Sequence, residues 1–278
     1  MGYLANFNRA AFVALLSLAA TGLCAADEFA SAWSRGAKSR ARLVASGGIE
    51  NGQYRIGLEI VLNAQALTYW RTPGEAGVPP TFKFEASKNF KSAAVLYPAP
   101  GRFLEGGATA FGYRDRVIFP IDIKPADPSR PMTVDLDLNY AVCENICIPA
   151  EARVKLDLRP DAKRAPEAEE IARFAARVPK PLPADAKPVF NMWGVADAVK
   201  PTWRVKFPAS TPDADLFAEG PDGWYFDTIR AGESTYDIVL AEKPASAQLP
   251  VDGVMLTITQ GEQAFETTTR LDAVARKP

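Results

Sequence analysis

The chain has 278 residues and an almost balanced charge, with 32 lysines and arginines against 33 aspartates and glutamates. No basic stripe of the kind that binds nucleic acid stands out in the sequence, so no nucleic-acid partner is expected. The sequence contains no histidine, which excludes Ser-His-Asp and Cys-His nucleophile arrangements and zinc sites that use imidazole.

The N-terminus has the layout of a secretory signal peptide covering residues 1–26. One basic residue, Arg9, precedes the apolar run AAFVALLSLAATGLCA, and charge returns directly after it. Small residues at Cys24 and Ala26 predict cleavage after Ala26. A transmembrane anchor is the alternative, but the apolar run is too short to span a bilayer comfortably. We therefore expect an exported protein from which Cys24 is removed with the leader.

Residues 27–160 show the two-residue hydrophobic period of strands that bury one face. The pattern occurs in four segments, at residues 54–62, 117–123, 134–142 and 154–158. Connections rich in proline and glycine, such as RTPGEAGVPP and YPAPGRFLEGG, separate these segments. This region is expected to form a β-sandwich.

Residues 161–188 predict a short helix and a linker. In APEAEEIARFAARVP, Ile171, Phe174 and Val178 share one helical face, and Pro166 suits a first helical position. The following PKPLPADAKP has four prolines in ten residues, which is typical of a domain boundary.

Residues 189–278 predict a second, smaller β-sandwich, so the expected fold class is all-β. Strand patterns resume at TWRVKF, GWYFDTI and YDIVLA, and VMLTITQGEQAFETTT has the form of a hairpin with Gly261 at its turn. An acidic stretch is expected to be a solvated loop rather than a metal site, and it comprises Asp213, Asp215, Glu219 and Asp222. No catalytic group of residues is apparent in this region.

Cys143 and Cys147 are the only cysteines that remain once the leader is removed. On a helix, residues four apart hold their Cβ atoms about 5 to 6 Å from each other, whereas a disulfide needs about 3.5 to 4.5 Å. An oxidised pair is therefore not helical. The strand pattern stops before Cys143 and resumes after it, which predicts that residues 143–152 form a loop in which Pro149 ends regular structure.

Three roles are open for this pair, namely a structural disulfide, an exchangeable redox disulfide and a metal clip. A ring of about five residues stabilises a fold by only roughly 2 kcal/mol, and a chain of roughly 250 residues can bury a core without it. Spacing alone leaves the structural and redox roles even. Cu(I) binding ranks lower because no methionine cluster lies nearby in the sequence to complete a site, and no cofactor is expected.

Charge near the pair indicates which redox role is possible. Glu144 and Glu151 flank the cysteines, and no lysine lies between them. Nothing local therefore favours a strongly oxidising, readily ionised cysteine. The pattern favours a disulfide that an incoming thiolate attacks, giving a dithiol that later reduces something else.

The segment YAVCENICIPAEA, with upstream TYWRTPGEAGVPP, YPAPGRF and GYRDRVIFPI, resembles the N-terminal periplasmic domain of the thiol:disulfide interchange protein DsbD family. It is more similar to the ScsB-like branch, which is associated with bacterial copper tolerance. The resemblance covers about Trp33 to Leu158, and the tail from about Val189 is similar in character to the second sandwich of ScsB-like proteins. It implies an immunoglobulin-like fold for the first sandwich.

The resemblance also implies roles for individual residues. Cys143 and Cys147 match the redox pair, which takes electrons from a membrane thiol transporter and passes them to periplasmic thioredoxin-like proteins, in copper tolerance or cytochrome c maturation. Phe103 matches an aromatic residue on a cap loop that covers the disulfide. Trp70 and Tyr140 are further candidate shielding residues. The alternative for these aromatics is an ordinary place in the core or on the surface.

Three departures from the family pattern bear on these expectations. Three residues separate the cysteines, as in ScsB-like relatives, rather than the longer spacing of DsbD. Gly101 and Arg102 stand where the DsbD cap loop has acidic residues, which puts a carboxylate role there in doubt. The chain lacks the membrane and thioredoxin-like domains of DsbD, so the electron donor is expected to act in trans.

Cys147 is the expected target of attack, because Cys143 ends a strand and is expected to be more shielded.

The alternatives to a redox relay come from other classes of function. One is a non-catalytic periplasmic binding module with a structural disulfide, and the other is a Cu(I)-binding dithiol. The reduction potential of the pair distinguishes a static disulfide, expected below about −300 mV, from an exchangeable one.

Overall fold

A computed structural model shows the fold of the chain. The structure describes residues 2, 28–75, 77–144, 146–182, 190–196, 198–208 and 213–273. The expected signal peptide, with Cys24 and the cleavage position after Ala26, lies outside the described residues, as does part of the proline-rich linker. Within the described part of the chain, no helix has the length and apolar character needed to cross a membrane.

In residues 28–75, 77–144 and 146–158, which form the first region of the chain, all regular elements are strands. They are β1 (Ser34–Arg35), β2 (Ser39–Ala45), β3 (Tyr54–Leu62), β4 (Leu67–Gly74), β5 (Thr81–Lys83), β6 (Phe90–Val95), β7 (Gly101–Glu105), β8 (Ala108–Arg114), β9 (Arg116–Pro125), β10 (Met132–Cys143) and β11 (Cys147–Leu158).

One helix and eight further strands follow in the described residues. They are α1 (Ala168–Ala176), β12 (Lys180–Pro181), β13 (Asn191–Gly194), β14 (Thr202–Lys206), β15 (Ala214–Glu219), β16 (Tyr225–Gly232), β17 (Thr235–Glu242), β18 (Val251–Gln260) and β19 (Gln263–Leu271).

The first sandwich consists of two sheets that enclose one core. One sheet has the strand order β1-β2-β3-β9-β6, and the other has the order β11-β10-β4-β8-β7 with β5 paired to β10. Alternate residues of β3 and β10 face the core between the sheets, as the two-residue period predicts; Leu58 and Leu136, for example, have no exposed surface. The expected all-β, immunoglobulin-like fold class is confirmed.

The second sandwich has its own core between two four-stranded sheets. Their strand orders are β12-β19-β18-β15 and β13-β14-β17-β16. The predicted hairpin is present as β18 and β19, with Gly261 at its turn in a left-handed conformation (φ 57°) that glycine adopts without strain. The domain limits drawn from the sequence stay a prediction.

The predicted helix is confirmed between the two sandwiches in chain order. Helix α1 begins two residues after Pro166, and Ile171 and Phe174 pack into the core of the first sandwich. The helix ends at Ala176, so Val178, which was predicted to share this face, lies beyond it. Arg116 of β9 also forms an ion pair with Glu170 of the helix at 2.6 Å. The helix therefore packs on the first sandwich.

The acidic stretch of the second sandwich differs from its expectation as a solvated loop. Most of it is strand β15, in which Asp215 and Glu219 form ion pairs with Arg102 and Arg71 of the first sandwich. The two acidic side chains are only 20% and 14% exposed. Their charges hold the two sandwiches together.

Candidate functional site

Cys143 and Cys147 face each other across the hairpin of β10 and β11. They are direct partners in the strand register and form a disulfide with a Cα separation of 4.1 Å. The predicted loop over residues 143–152 is wrong, because β11 begins at Cys147 and Pro149 pairs with Ala141 inside the ladder. Proline is tolerated here because β11 is the edge strand of its sheet.

The two sulfur-bearing residues differ in their access to solvent. Cys143 is buried, with 1% of its surface exposed, whereas Cys147 is exposed. A reagent that approaches the disulfide therefore reaches Cys147 first. The geometry agrees with the expectation that Cys143 is the more shielded cysteine.

Tyr69 of β4 connects the disulfide to a carboxylate. Its hydroxyl lies 2.6 Å from Cys143 Sγ, 3.2 Å from Cys147 Sγ and 2.7 Å from Glu105 Oε2. Burial raises the pKa of Tyr69 well above its ordinary value, and the hydrogen bond to Glu105 and the charge of that carboxylate raise it further. The phenol therefore keeps its proton and remains a hydrogen-bond donor beside the sulfurs.

Strands β7 and β8 form a hairpin that lies against this site, and we call residues 101–114 the cap hairpin. Phe103 packs against the small cluster that contains Tyr69 and Cys143. Two positions along the same strand, Glu105 places Oε1 3.4 Å from Cys147 Sγ. Because alternate residues of a strand share one face, Phe103 and Glu105 together approach the disulfide.

Phe103 is itself held on both sides. Its ring covers Gly101, where an added Cβ atom would come within 2.8 Å of the ring. The guanidinium of Arg114 lies over the ring, 4.6 Å from its centroid. The position of Phe103 therefore depends on the fold of the cap hairpin.

Trp70 and Tyr140, the other two candidate shielding residues, do not belong to the cluster at the disulfide. Trp70 has no exposed surface and packs in the main core, where its ring meets Phe217 of the second sandwich at 5.8 Å. The Tyr140 hydroxyl pairs with Ser39 Oγ at 2.7 Å in the same core. Side chains alternate along a strand, so Trp70 and Tyr140 face away from the cluster that contains their neighbours Tyr69 and Ala141.

Sequence reasoning missed Tyr69 and Glu105. Tyr69 stands beside the chosen Trp70, and the choice of strand face decides between them. Glu105 follows Phe103 at the two-residue spacing of a strand, which would have signalled a shared face had the segment been predicted as β7.

Two carboxylates lie near the pair, and they differ in their partners. Glu105 accepts a hydrogen bond from the Tyr69 hydroxyl, whereas Glu144, which is next to Cys143 in sequence, pairs with Lys38. Ligand atoms of Glu105, Cys143 and Cys147 lie within 4.8 Å of one another, so these residues form a possible metal-binding group. Such binding would require the reduced pair, because thiolates are the ligands that soft metal ions prefer.

Comparisons with known proteins extend this description. Residues 39–159 match the family model described as "Thiol:disulfide interchange protein DsbD, N-terminal". Among solved structures, the N-terminal periplasmic domain of ScsB from Proteus mirabilis is similar, with a TM-score of 0.68 and 19% identity. The similarity covers 88% of this chain and 99% of that one. No curated protein matches the chain. The resemblance drawn from the cysteine segment is confirmed.

Proposed function

We propose, from the membership of residues 39–159 in the DsbD N-terminal family, that the chain is a periplasmic protein that relays electrons by thiol:disulfide interchange. The family match and the Cys143–Cys147 disulfide support the interchange chemistry. The observation that carries the proposal is the asymmetry of the pair, with an exposed Cys147 and a buried Cys143 that contacts the Tyr69 hydroxyl.

The first step of the proposed reaction is attack by a donor thiolate on Cys147 Sγ. A mixed disulfide forms between the donor and Cys147, the Cys143–Cys147 bond breaks, and its electron pair leaves on Cys143 as a thiolate. Tyr69 stabilises this thiolate because its hydroxyl already lies 2.6 Å from the sulfur. A hydrogen bond to a charged group contributes about 1.5 to 3 kcal/mol, more than one to the neutral disulfide.

The second step releases the donor. The donor's second thiolate attacks the donor sulfur of the mixed disulfide. The donor then leaves with a disulfide between its two sulfurs, and Cys147 leaves as a thiolate. The pair has then gained two electrons and takes up protons to the extent that the pH dictates. Electrons leave by the reverse sequence, in which Cys147 attacks the disulfide of an acceptor and Cys143 resolves the mixed disulfide.

The partners follow from the family resemblance. A membrane thiol transporter acting in trans is the proposed donor, and periplasmic thioredoxin-like proteins are the proposed acceptors. The printed description of the similar ScsB structure, an N-terminal periplasmic domain, supports the periplasmic location. Copper tolerance and cytochrome c maturation are the proposed settings.

Two other functions compete with the relay. A binding module would keep a static disulfide, which the burial of Cys143 favours. A Cu(I) site would use the two thiolates of the reduced pair, whose sulfur atoms are already held together. The exposure of Cys147 argues against a static disulfide, because a purely structural bond gains nothing from an accessible sulfur.

Capture of partners by single-cysteine variants tests the relay. A Cys143→Ser variant keeps the exposed thiol and is expected to form mixed disulfides with periplasmic thioredoxin-like proteins. A Cys147→Ser variant keeps only the buried thiol and is expected to form far fewer. The proposal fails if neither variant captures a partner and the wild-type pair has a potential below about −300 mV, the range of structural disulfides.

A further inference from the structure

Strand β7 of the cap hairpin presents one face to the disulfide and the other to the second sandwich. Phe103 packs against the cluster that contains Cys143, and Glu105 lies beside Cys147. Arg102, which stands next to Phe103, points the opposite way and reaches residues more than one hundred positions later in the chain. The second sandwich thus contacts the cap hairpin directly behind the groups that cover the disulfide.

The guanidinium of Arg102 is almost fully occupied by the second sandwich. Its Nη2 atom donates to Asp215 Oδ1 at 2.9 Å and to the Leu216 carbonyl at 2.6 Å, and Nη1 donates to the Thr228 carbonyl at 2.5 Å. Three aromatic rings surround the same group, those of Phe111, Phe217 and Tyr236, at 4.9, 5.2 and 5.6 Å from the ring centroids. The side chain is only 20% exposed. A planar, multiply bonded guanidinium of this kind fixes orientation as well as distance.

Strand β4, which carries Tyr69, is anchored on the same part of the second sandwich. Arg71 donates two hydrogen bonds to the carboxylate of Glu219, at 2.7 and 2.9 Å, and Thr72 donates a third at 2.6 Å. Trp70 packs against Phe217. The residues that directly follow Tyr69 are therefore all held by the second sandwich.

Most of these anchors lie on one strand of the second sandwich, β15. The others are Thr228 of β16, Tyr236 of β17 and Glu266 of β19, which also forms an ion pair with Arg71. On β15 the residues Ala214, Leu216 and Ala218 face their own core, and the residues between them face the first sandwich. We call Asp215, Phe217 and Glu219 the β15 stripe. Its acidic ends pair with Arg102 and Arg71, and its central ring is 1% exposed and contacts Phe111 at 4.9 Å. The stripe therefore contacts both β4 and β7, the two strands that supply Tyr69, Phe103 and Glu105 to the redox site.

We infer that the second sandwich is a positioning element of the redox site: the β15 stripe, acting through Arg102, holds Phe103 and Glu105 over the Cys143–Cys147 disulfide. Loss of this hold lets the cap hairpin leave the disulfide and gives reducing agents freer access to it than they have in the intact protein. The inference rests on the proposed function, since shielding matters only for a disulfide that exchanges.

The rate at which dithiothreitol reduces the full chain tests this inference. An open minor state is typically populated to between 0.1% and 10%, so making it dominant raises the rate by about tenfold or more. Arg102→Leu is expected to give such an increase. The isosteric Asp215→Asn leaves the bonds of Arg102 to the Leu216 and Thr228 carbonyls in place, so it is expected to give a smaller increase that still exceeds twofold. Arg102→Lys keeps the charge but loses the fork of donors, so it is expected to restore part of the wild-type protection.

A matched control separates positioning from general loss of stability. Asp237→Asn removes an ion pair with Arg204, made at 2.7 Å inside the second sandwich and away from the β15 stripe. It is expected to reduce no faster than wild type, even if its melting temperature falls. Phe103→Ala is expected to reduce faster than wild type, because it removes the shield itself.

Two results would overturn the inference. One is a rate of reduction by dithiothreitol that stays within twofold of wild type in Asp215→Asn although Phe103→Ala is reduced rapidly. Asp215→Asn is used for this comparison because it is expected to fold even if Arg102→Leu does not. The other is an equal acceleration in Asp237→Asn. Both leave the proposed function standing, because partner capture by Cys143→Ser tests that function independently of the β15 stripe.

Discussion

The hydroxyl of Tyr69 lies 2.6 Å from the sulfur of Cys143, which is the buried member of the disulfide. This contact places a donor that retains its proton on the sulfur that must carry negative charge when the disulfide opens. The same hydroxyl lies 2.7 Å from Glu105 Oε2, so the phenol can turn from the carboxylate to the new thiolate. The chemistry of the site thus depends on four side chains from four strands, since Cys147 of β11 completes the disulfide.

Tyr69→Phe is expected to slow reduction of the disulfide by at least about tenfold. A hydrogen bond to a charged group contributes about 1.5 to 3 kcal/mol, and about 1.4 kcal/mol corresponds to a factor of ten in rate. The measurement is the second-order rate constant with dithiothreitol at fixed pH. Tyr140→Phe is the control, since that hydroxyl pairs with Ser39 in the core. Equal slowing in both variants would contradict the role given to Tyr69.

Glu105→Gln is expected to speed attack on the disulfide. Glu105 Oε1 lies 3.4 Å from Cys147 Sγ, so its negative charge repels the incoming thiolate and opposes formation of a thiolate at Cys147. A unit charge at about this distance acts with an energy of about 1 kcal/mol in water, which predicts a several-fold change. Two rates measure the effect, each compared between Glu105→Gln and the wild type. One is the rate of reduction of the disulfide, and the other is the rate of alkylation of the reduced protein.

The control for Glu105 is the other carboxylate near the pair. Glu144→Gln removes a charge that is next to Cys143 in sequence but is paired with Lys38. It is expected to change either rate far less than Glu105→Gln does. A larger effect at Glu144 would show that sequence proximity, rather than the contact seen in the structure, governs the charge at the sulfurs.

The sequence predicted those features that a single strand or helix determines by itself. Alternation along β3 and β10 reports which face is buried, and the apolar spacing of Ile171 and Phe174 reports a helix packed on one side. The position of Phe103 against the cysteine cluster is also consistent with the cap role that the resemblance implied.

Contacts between distant segments left no such signal. The ion pair of Arg102 with Asp215 joins residues 113 positions apart, and the acidic residues of β15 look like a solvated loop when that partner is unknown. The hairpin was missed because Pro149 suggested the end of a strand, although an edge strand accepts proline. The prediction that Trp70, rather than Tyr69, lies near the disulfide was wrong for a related reason. Neighbouring residues of a strand face opposite sides, so a shift of one residue decides which side chain meets the disulfide.

Stability is expected to fall as the pH rises above about 10. Burial raises the pKa of Tyr69, and it also raises that of five other tyrosines, Tyr54, Tyr97, Tyr113, Tyr140 and Tyr236. The unfolded chain loses these protons near pH 10, whereas the folded chain retains them, so a rise in pH through this range favours the unfolded state. The contribution is fully present below pH 10 and is lost as the pH approaches the folded-state pKa.

Denaturant unfolding at a series of alkaline pH values measures this dependence. One group can contribute a slope of at most about 1.4 kcal/mol per pH unit. Tyr69→Phe is expected to make the slope shallower by part of that amount. An unchanged slope would show that Tyr69 loses its proton as readily in the folded chain as in the unfolded one.

Gly77→Ala is expected to disturb the redox site through the ring of Tyr69. Gly77 has a φ of 115°, and a Cβ atom there would lie 2.2 Å from Tyr69 Cε1. The ring cannot move aside without loss of its hydroxyl contacts, because it has no exposed surface and bonds to Cys143 and Glu105. Backbone strain and overpacking each cost about 1 to 3 kcal/mol, and the displaced hydroxyl should also slow reduction by dithiothreitol.

Gly52→Ala separates the two contributions. Gly52 has a φ of 78°, but nothing lies within 4 Å of the position that its Cβ atom would take. This variant therefore carries backbone strain alone, about 1 to 2 kcal/mol, and leaves Tyr69 in place. Urea unfolding midpoints should fall in both variants and further in Gly77→Ala, whereas the reduction rate should change only in Gly77→Ala. If Gly77→Ala loses stability but reduces at the wild-type rate, the contact of Tyr69 with the sulfur does not control the opening of the disulfide.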